Sequence, residues 1–512
     1  LVRRRDGGRL PGGGAVAREV APGNGDLGVM LPPTGVHHLL LGLPGDPPGP
    51  RVLVLTSGNL SGEPIVTDDD VALQRLGGIA DAWLRHDRAV HVPCDDSVIA
   101  VVRGEELPVR RSRGYAPLPV PLPVQVHPVL ATGGDLKNTF GVASGRYAWL
   151  SAHVGDLDDL ATRQTYDRAT RHLAELVSVE PAVVVRDAHP GYRSTRWARE
   201  AVAAGRPFPA ARRLAVVQHH HAHVAAVMAE HGLDGGEPVI GVAFDGTGYG
   251  PDGAVWGGEV LLADYAGFRR FAHLAYVPLP GGDAAVRRPY RMALAHLRAA
   301  GVGWDDDLPC VAACPPAERA VLARQLERGL ACLPTSSVGR LFDAVAALAG
   351  VRQRVDYEAQ AAMELQALAV PVVGSGCDTD AYALPIRPPR APGEPFRWDV
   401  APLIRGAARD VRAGLAAGVV GARFHRGLAA AVVDVVERAL AVTPGSRVAL
   451  SGGVFANTLL LGLVLDGLAA SGRGPIEVLR HRRVPPNDGG LALGQIVVGA
   501  RLRAAGEQDE SS

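Results

Sequence analysis

Lysine is all but missing from this chain: of its 53 basic residues only Lys137 is not arginine. Asparagine is nearly as scarce, confined to Asn24, Asn59, Asn138, Asn457 and Asn487. Cysteine is limited to Cys94, Cys310, Cys314, Cys332 and Cys377, an odd number never spaced C-x-x-C. That argues against a disulfide framework and for reduced thiols in a cytoplasmic compartment. No apolar run reaches the roughly 18 residues of a membrane-crossing helix, and the opening residues lack the basic-then-apolar pattern of a signal peptide. Net charge is zero, with 53 basic and 53 acidic residues, so no overall field draws the molecule to nucleic acid or to an anionic membrane. Charged ligands must therefore be held locally.

What is present is a large, globular-type composition: 512 residues, 47% hydrophobic and 21% charged, enough for about two to four domains. Residues 1–117 alternate short apolar stretches such as "RVLVLTSGN" with helical ones such as "DDDVALQRLGGIADAWLRH", an α/β pattern. The prolines of "YAPLPVPLPVQVHP" predict an extended linker over 118–128. From 129 to 505 strands and helices alternate again, and 506–512 reads as a disordered tail. The chain opens on Leu1 rather than methionine, which reads as a piece of a longer polypeptide.

Three glycine loops follow predicted strands: "GGDLKNTF", "FDGTGYG" and "SGGVFAN". Glycines let backbone N–H groups turn toward an anion, and a following helix adds its dipole. The first loop carries the sole lysine, a compact charge that an arginine fork does not replace. The second adds Asp245, able to orient Mg²⁺. In "VQHHHAHVAAVMAEHG", a helix beginning near Gln218 sets His219 and His223 on one face, within reach of one metal ion. His220 stands where the glutamate of an H-E-x-x-H protease would be, so the expectation is metal binding without protease chemistry. Asp488 in "PPNDGGLALG" and Asp245 are the best distant carboxylates to complete the set. Two imidazoles with carboxylates accommodate Zn or Fe(II).

These stretches carry a family resemblance. "TSGNLSGEP", "DDSV" and "RRSRGYAP" resemble the later part of a YrdC-type adenylate-forming domain. "GGDLKNTF", "QHHHAHVAA", "FDGTGYGPDG", "TSSVGRLFDAVAALAG", "YEAQAAMELQ", "LSGGVFAN" and "PPNDGGLALGQ" resemble the HypF carbamoyltransferases of nickel-iron hydrogenase maturation. The second part is also similar to tRNA threonylcarbamoyl transferases of the actin-like ATPase (ASKHA) superfold. The resemblance implies an α/β fold: a partial YrdC-like domain followed by a two-lobed ASKHA transferase domain. It implies adenylate contacts at Thr56, Ser57, Asn59, Arg111 and Arg113, and metal ligands at His219, His223, Asp488 and Asp245. It places nucleotide or phosphate contacts at Gly133, Gly134, Lys137, Asn138, Gly246, Gly248, Asp343, Gly452, Gly453 and Asn457, with Lys137 and Asp245 catalytic. Arg340 departs from the glutamate common in the tRNA-modifying relatives. An acylphosphatase domain and C-x-x-C zinc fingers would precede the YrdC-type unit.

The implied reaction makes carbamoyl-adenylate from ATP and carbamate, itself derived from carbamoyl phosphate. The carbamoyl group then passes to the C-terminal cysteine of a HypE-type acceptor. Two other readings stand beside it. One is O-carbamoylation of a small hydroxylated substrate, against which the domain order speaks; the other is a non-catalytic nucleotide- or RNA-binding scaffold, against which zero net charge speaks.

Overall fold

The computed structural model describes residues 1–4, 16–47, 49–60, 63–472 and 474–504; the expected tail at 506–512 lies outside the described residues. From Pro119 onward the architecture is built on two sheets. The first joins β1 (Pro119–Ala131), β2 (Gly141–Leu150), β3 (Val183–Asp187) and β4 (Arg213–Val217) in the order β2-β1-β3-β4. The β1/β3 and β3/β4 pairs are parallel, so each needs a crossover. The helices Leu160–Leu176 and Arg193–Ala204 supply them. Asp159 starts the former by accepting hydrogen bonds from Ala161 N and Thr162 N.

After β4 comes α1 (His219–Glu230), then the second sheet, whose central strands are β5 (Val239–Tyr249), β6 (Val255–Ala263), β7 (Phe268–Leu274), β8 (Val448–Ser451) and β9 (Val478–Arg480). Its order runs Ile386–Arg387, Phe396–Trp398, β7, β6, β5, β8, β9. Helices including Pro289–Ala299, Val338–Leu348, Gln360–Ser375 and Ala417–Val442 cover this second lobe, and α2 (Leu491–Ala504) returns to the first. Two sheets, each with its own helices, make the two-lobed α/β fold expected of the transferase part.

Helix α1 is buried on every side from His219 to Ala229. It is apolar enough around its whole circumference to sit between the sheets. One core cluster runs from Val129 and Val185 through Val224 and Val227 to Leu261 and Ala449, tying the lobes together. Each of these valines and Leu261 contributes about 1.5–3 kcal/mol by leaving water. The approach of α2 is very close: a Cβ at Gly494 would stand 1.8 Å from Ala222 O.

The expected linker at 118–128 is instead most of β1. Pro119, Pro121 and Pro123 share one strand parity, so their missing donors all face one edge. β3 does not join that edge until Val129, while Val120 pairs with Ala148 on the other side. Alternation supplies the burial: Val120, Leu122 and Val126 are buried and Pro119 and Pro121 are exposed. Before β1, the antiparallel ribbon Val98–Val102/Glu105–Arg110 packs Ala100, Val102 and Leu107 into the large core of the second lobe. "RVLVLTSGN" forms no strand, because among the described residues it has no strand partner, and Val54 is 70% exposed. The helix expected after it is shorter than its pattern, Asp69–Leu76.

Candidate active site

The register of α1 is set at its first turn. Gln218 caps it by accepting from His221 N at 2.9 Å, which places His219 and His223 one turn apart, facing the same way. Asp245 projects from the middle of β5, and Asp488 from the short turn before α2. His219 Nε2 lies 3.1 Å from Asp245 Oδ2 and 3.6 Å from Asp488 Oδ1. His223 Nε2 lies 3.5 and 3.7 Å from the same two oxygens. All four donors fall within 4.8 Å of one another, and all four residues are buried. His220 and His221 turn away, the first toward Gln218 and the second onto Asp264 O.

Three further contacts hold these ligands. Asp187, at the end of β3, takes His219 Nδ1 at 2.8 Å, so His219 Nε2 is the nitrogen left for the cluster. Gly453 N donates to Asp245 Oδ1 at 3.2 Å. Asn487 fixes the Asp488 turn by capping Gly489 N, while its own Nδ2 reaches back to Val109 O at 2.9 Å. Burial works against a charged His219, yet Asp187 and Asp488 outweigh it and hold its pKa well above the usual imidazole range. Burial likewise opposes ionisation of the carboxylates, but the two imidazoles keep Asp488 down at about 2 and Asp245 well below its ordinary value.

The donor set fits a metal ion. His223 Nε2 and Nδ1 are buried without a hydrogen-bond partner, and its carboxylate neighbours lie too far for one. Two imidazole nitrogens and two carboxylate oxygens converging on one point are the ligands that zinc or iron(II) takes. Cys310 and Cys314, four residues apart, offer no such grouping: burial pushes their thiols up to about 12 and about 11, and they join no metal-type cluster among the described residues.

The lysine loop is pressed against this centre. A Cβ at Gly134 would lie 2.7 Å from Asp488 Oδ2, and Gly133, at φ +70°, donates its N–H to Gln495 Oε1 at 2.9 Å. Asn138 spends its amide N–H groups on Thr132 O and Gly134 O, bracing the loop. Lys137 adopts φ +46° with its own N–H on Asp156 Oδ1, and its ammonium pairs with Glu358 across the cleft. Lost hydration lowers its pKa, while Asp488, Asp156 and Asp245 pull it upward. Gly246 faces Glu358 and Arg340 at the cleft wall.

Other expected contacts have local duties. Gly248 is glycine because a Cβ there would stand 2.4 Å from His220 Cε1. Gly452, at φ +94°, backs onto Phe244 O, and Asn457 caps the helix Thr458–Ala469 while its Nδ2 meets His425 Nε2 at 2.9 Å. Asp343 is paired with Arg340 at 2.8 Å, and burial lifts its carboxyl to about 6 against that cation. Arg111 is buried, with its guanidinium on the carbonyls of Leu150, Tyr115 and Leu118, so it stitches the ribbon to β2. Arg113 pairs with Asp96 at 3.2 Å. Thr56 and Ser57 are exposed, and Asn59 Nδ2 binds Leu60 O and Glu63 O. Among the described residues no hydrogen bond or ion pair joins the 56–59 turn to Arg111 or Arg113. Asp187, Glu358, Asp156 and Gln495 were not picked out by the sequence reading; only "VVVRDAHP", a strand closing on an acid, offered a signal for Asp187.

Comparison with known proteins agrees with this layout. Residues 241–495 match the model described as carbamoyltransferase, Kae1-like domain, second subdomain; 124–230 match the HypF Kae1-like domain; 10–112 match the Sua5/YciO/YrdC model described as telomere recombination. Carbamoyltransferase HypF2 of Cupriavidus necator is 42% identical over 97% of this chain, which spans 63% of that protein's length. A HypF homolog of the same organism is 39% identical over 74% of this chain and 93% of its own length. The crystal structure of full-length HypF in the phosphate- and nucleotide-bound form superposes with a TM-score of 0.78 at 38% identity, covering 87% of this chain and 67% of that one. The YrdC-like segment, the two sheets and these relatives together place the chain in the HypF carbamoyltransferase family.

Proposed function

We propose that this chain performs the carbamoyl-transfer part of an ATP-dependent reaction. Carbamate, derived from carbamoyl phosphate, attacks the α-phosphate of ATP to give carbamoyl-adenylate with release of pyrophosphate. The C-terminal cysteine of a HypE-type acceptor protein, having lost its thiol proton, then attacks the carbamoyl carbon, and the carbon–oxygen bond to the phosphate breaks to give S-carbamoyl-cysteine and AMP. The observation that carries this reading is the meeting of His219, His223, Asp245 and Asp488 directly beneath the Lys137 loop. The solved relative holds phosphate and nucleotide, which supports ATP as the co-substrate.

His219, His223, Asp245 and Asp488 would hold the metal ion, which supplies Lewis acidity toward an oxygen of the carbamoyl group or phosphate. Asp187 keeps the proton on His219 Nδ1 and so leaves Nε2 as a ligand. Lys137 and the N–H groups of its loop offer positive charge to the adenylate phosphate as negative charge grows on departing AMP. To do so the ammonium leaves Glu358, so the anion and Glu358 compete for one cation. Gly246 and Gly453, whose absent side chains would point at Glu358 and Asp245, would leave bare backbone toward the ligand, and Asn457 and Asp343 would serve its nucleoside part.

The test incubates the chain with ATP, an acceptor protein ending in cysteine, and either carbamoyl phosphate or carbamate, followed by intact-mass and peptide mass spectrometry. A carbamoyl adduct on the acceptor cysteine, absent without ATP, is the expected result. Carbamoylation only of added hydroxylated small molecules, or no adduct from either donor, would overturn the proposal.

A further inference from the structure

The helices Leu160–Leu176 and Arg193–Ala204 lie side by side on the first sheet, on the face away from α1, where Tyr166, Leu173 and Ala198 pack over Leu130 and Val184. Between them runs an open groove of about 580 Å³. Five arginines line it against two carboxylates. Arg171 and Arg196 are neutralised by Asp167 at 2.7 Å and Glu200 at 3.0 Å, and Arg193 by Asp158 at 2.6 Å. Arg163 has no ion-pair partner among the described residues, and Arg168 has only a 3.4 Å hydrogen bond to Thr165 Oγ1. Uncompensated positive charge thus sits one helical turn from Leu160, which is 60% exposed, and across from Trp197.

We propose that this groove docks an acidic segment of a partner protein that carries apolar residues among its carboxylates. Guanidinium forks of Arg163 and Arg168 donate to carboxylates in bidentate fashion, and Leu160 and the Trp197 ring, in the same groove, offer apolar contact. Asp167 and Glu200 repel a continuous phosphate backbone, whereas a peptide can set its carboxylates at the free arginines and keep them away from those acids. The groove is also coupled to the lysine loop. Asp135, in that loop, accepts from Arg193 N at 2.8 Å and Ser194 N at 2.9 Å, so the wall of the groove and the floor of the cleft are one hydrogen-bonded unit. Docking itself does not depend on the transfer reaction proposed above.

Fluorescence anisotropy with a labelled peptide of mixed glutamate and leucine tests this on the full chain, with a labelled single-stranded oligonucleotide as the second probe. The peptide should bind in low salt and weaken as salt screens it. The double variant Arg163→Glu/Arg168→Glu, which replaces attraction by repulsion at two exposed sites, should bind it about tenfold more weakly or worse. Leu160→Asp, an acid welcome in a first helical turn, should weaken it too without unfolding the helix. Equal peptide affinity for wild type and both variants overturns the proposal. So does an oligonucleotide that outbinds the peptide and loses its binding in the double variant. Carbamoyl transfer, measured separately, reports on the reaction and so distinguishes a failure there from a failure here.

Discussion

Replacing Asp187 with asparagine keeps the shape of the side chain and removes its charge, and the structure says what that must cost. Asp187 Oδ2 takes His219 Nδ1 at 2.8 Å, and Oδ1 takes His189 N at 2.7 Å. Asparagine has one acceptor oxygen, so either the part-buried His189 N–H or the buried His219 Nδ1–H must face an N–H₂ group. An unsatisfied buried donor costs about 1–3 kcal/mol of folding free energy. If the oxygen stays with His189 N, the His219 ring loses its orienting partner, and outer-shell losses of that kind weaken metal binding about 10- to 100-fold, or about 1.4–2.7 kcal/mol. Chelator competition with elemental analysis reads the affinity, and thermal denaturation of the apo protein reads the stability. A variant with wild-type metal affinity and wild-type stability would refute the argument, because no arrangement of asparagine serves both donors.

Other perturbations separate the parts of the site. Lys137→Ala should leave stability within about 1 kcal/mol, since Lys137 and Glu358 are 38% and 35% exposed and such pairs are worth little. Calorimetry should nevertheless show ATP binding weakened about 10-fold or more, for loss of a charge-assisted contact; unchanged affinity removes Lys137 from the phosphate site. Gly494→Ala should destabilise by about 1–3 kcal/mol or more, because its Cβ meets the Ala222 carbonyl. Gly462→Ala, on an open helical position, should be neutral or stabilising by up to about 1 kcal/mol. Asp343 is an acid whose folded pKa, about 6, exceeds its ordinary 3.8. The folded state therefore holds the proton more tightly, and stability from this group is lost as pH rises from about 4 to 6. Wild type measured against Asp343→Asn should lose up to about 3 kcal/mol over that window, and a flat or rising difference contradicts it.

The parts of the site readable in the sequence were those with local periodicity. His219 and His223 announce themselves by spacing on a helix whose capping Gln218 adjoins them, and Lys137 by its isolation in the composition. Asp245 and Asp488 emerged as acids in glycine turns, although Asp245 proved to sit within a strand that runs on to Tyr249. Glu358 carries no local mark and Asp187 only that of an acid closing a strand: their roles come from contacts 221 and 32 residues away along the chain. Proline misled at 118–128, because a strand paired on one side tolerates it at every second position. The apolar residues of "RVLVLTSGN" suggested a strand by propensity alone, and a strand exists only where a partner is present.

The central claim is that residues 219, 223, 245 and 488 form one metal centre. Elemental analysis of the purified chain, set against His219→Ala prepared identically, tests it most directly. One equivalent of a transition metal in the wild type and close to none in the variant is the predicted result. Equal, stoichiometric metal in both would contradict it.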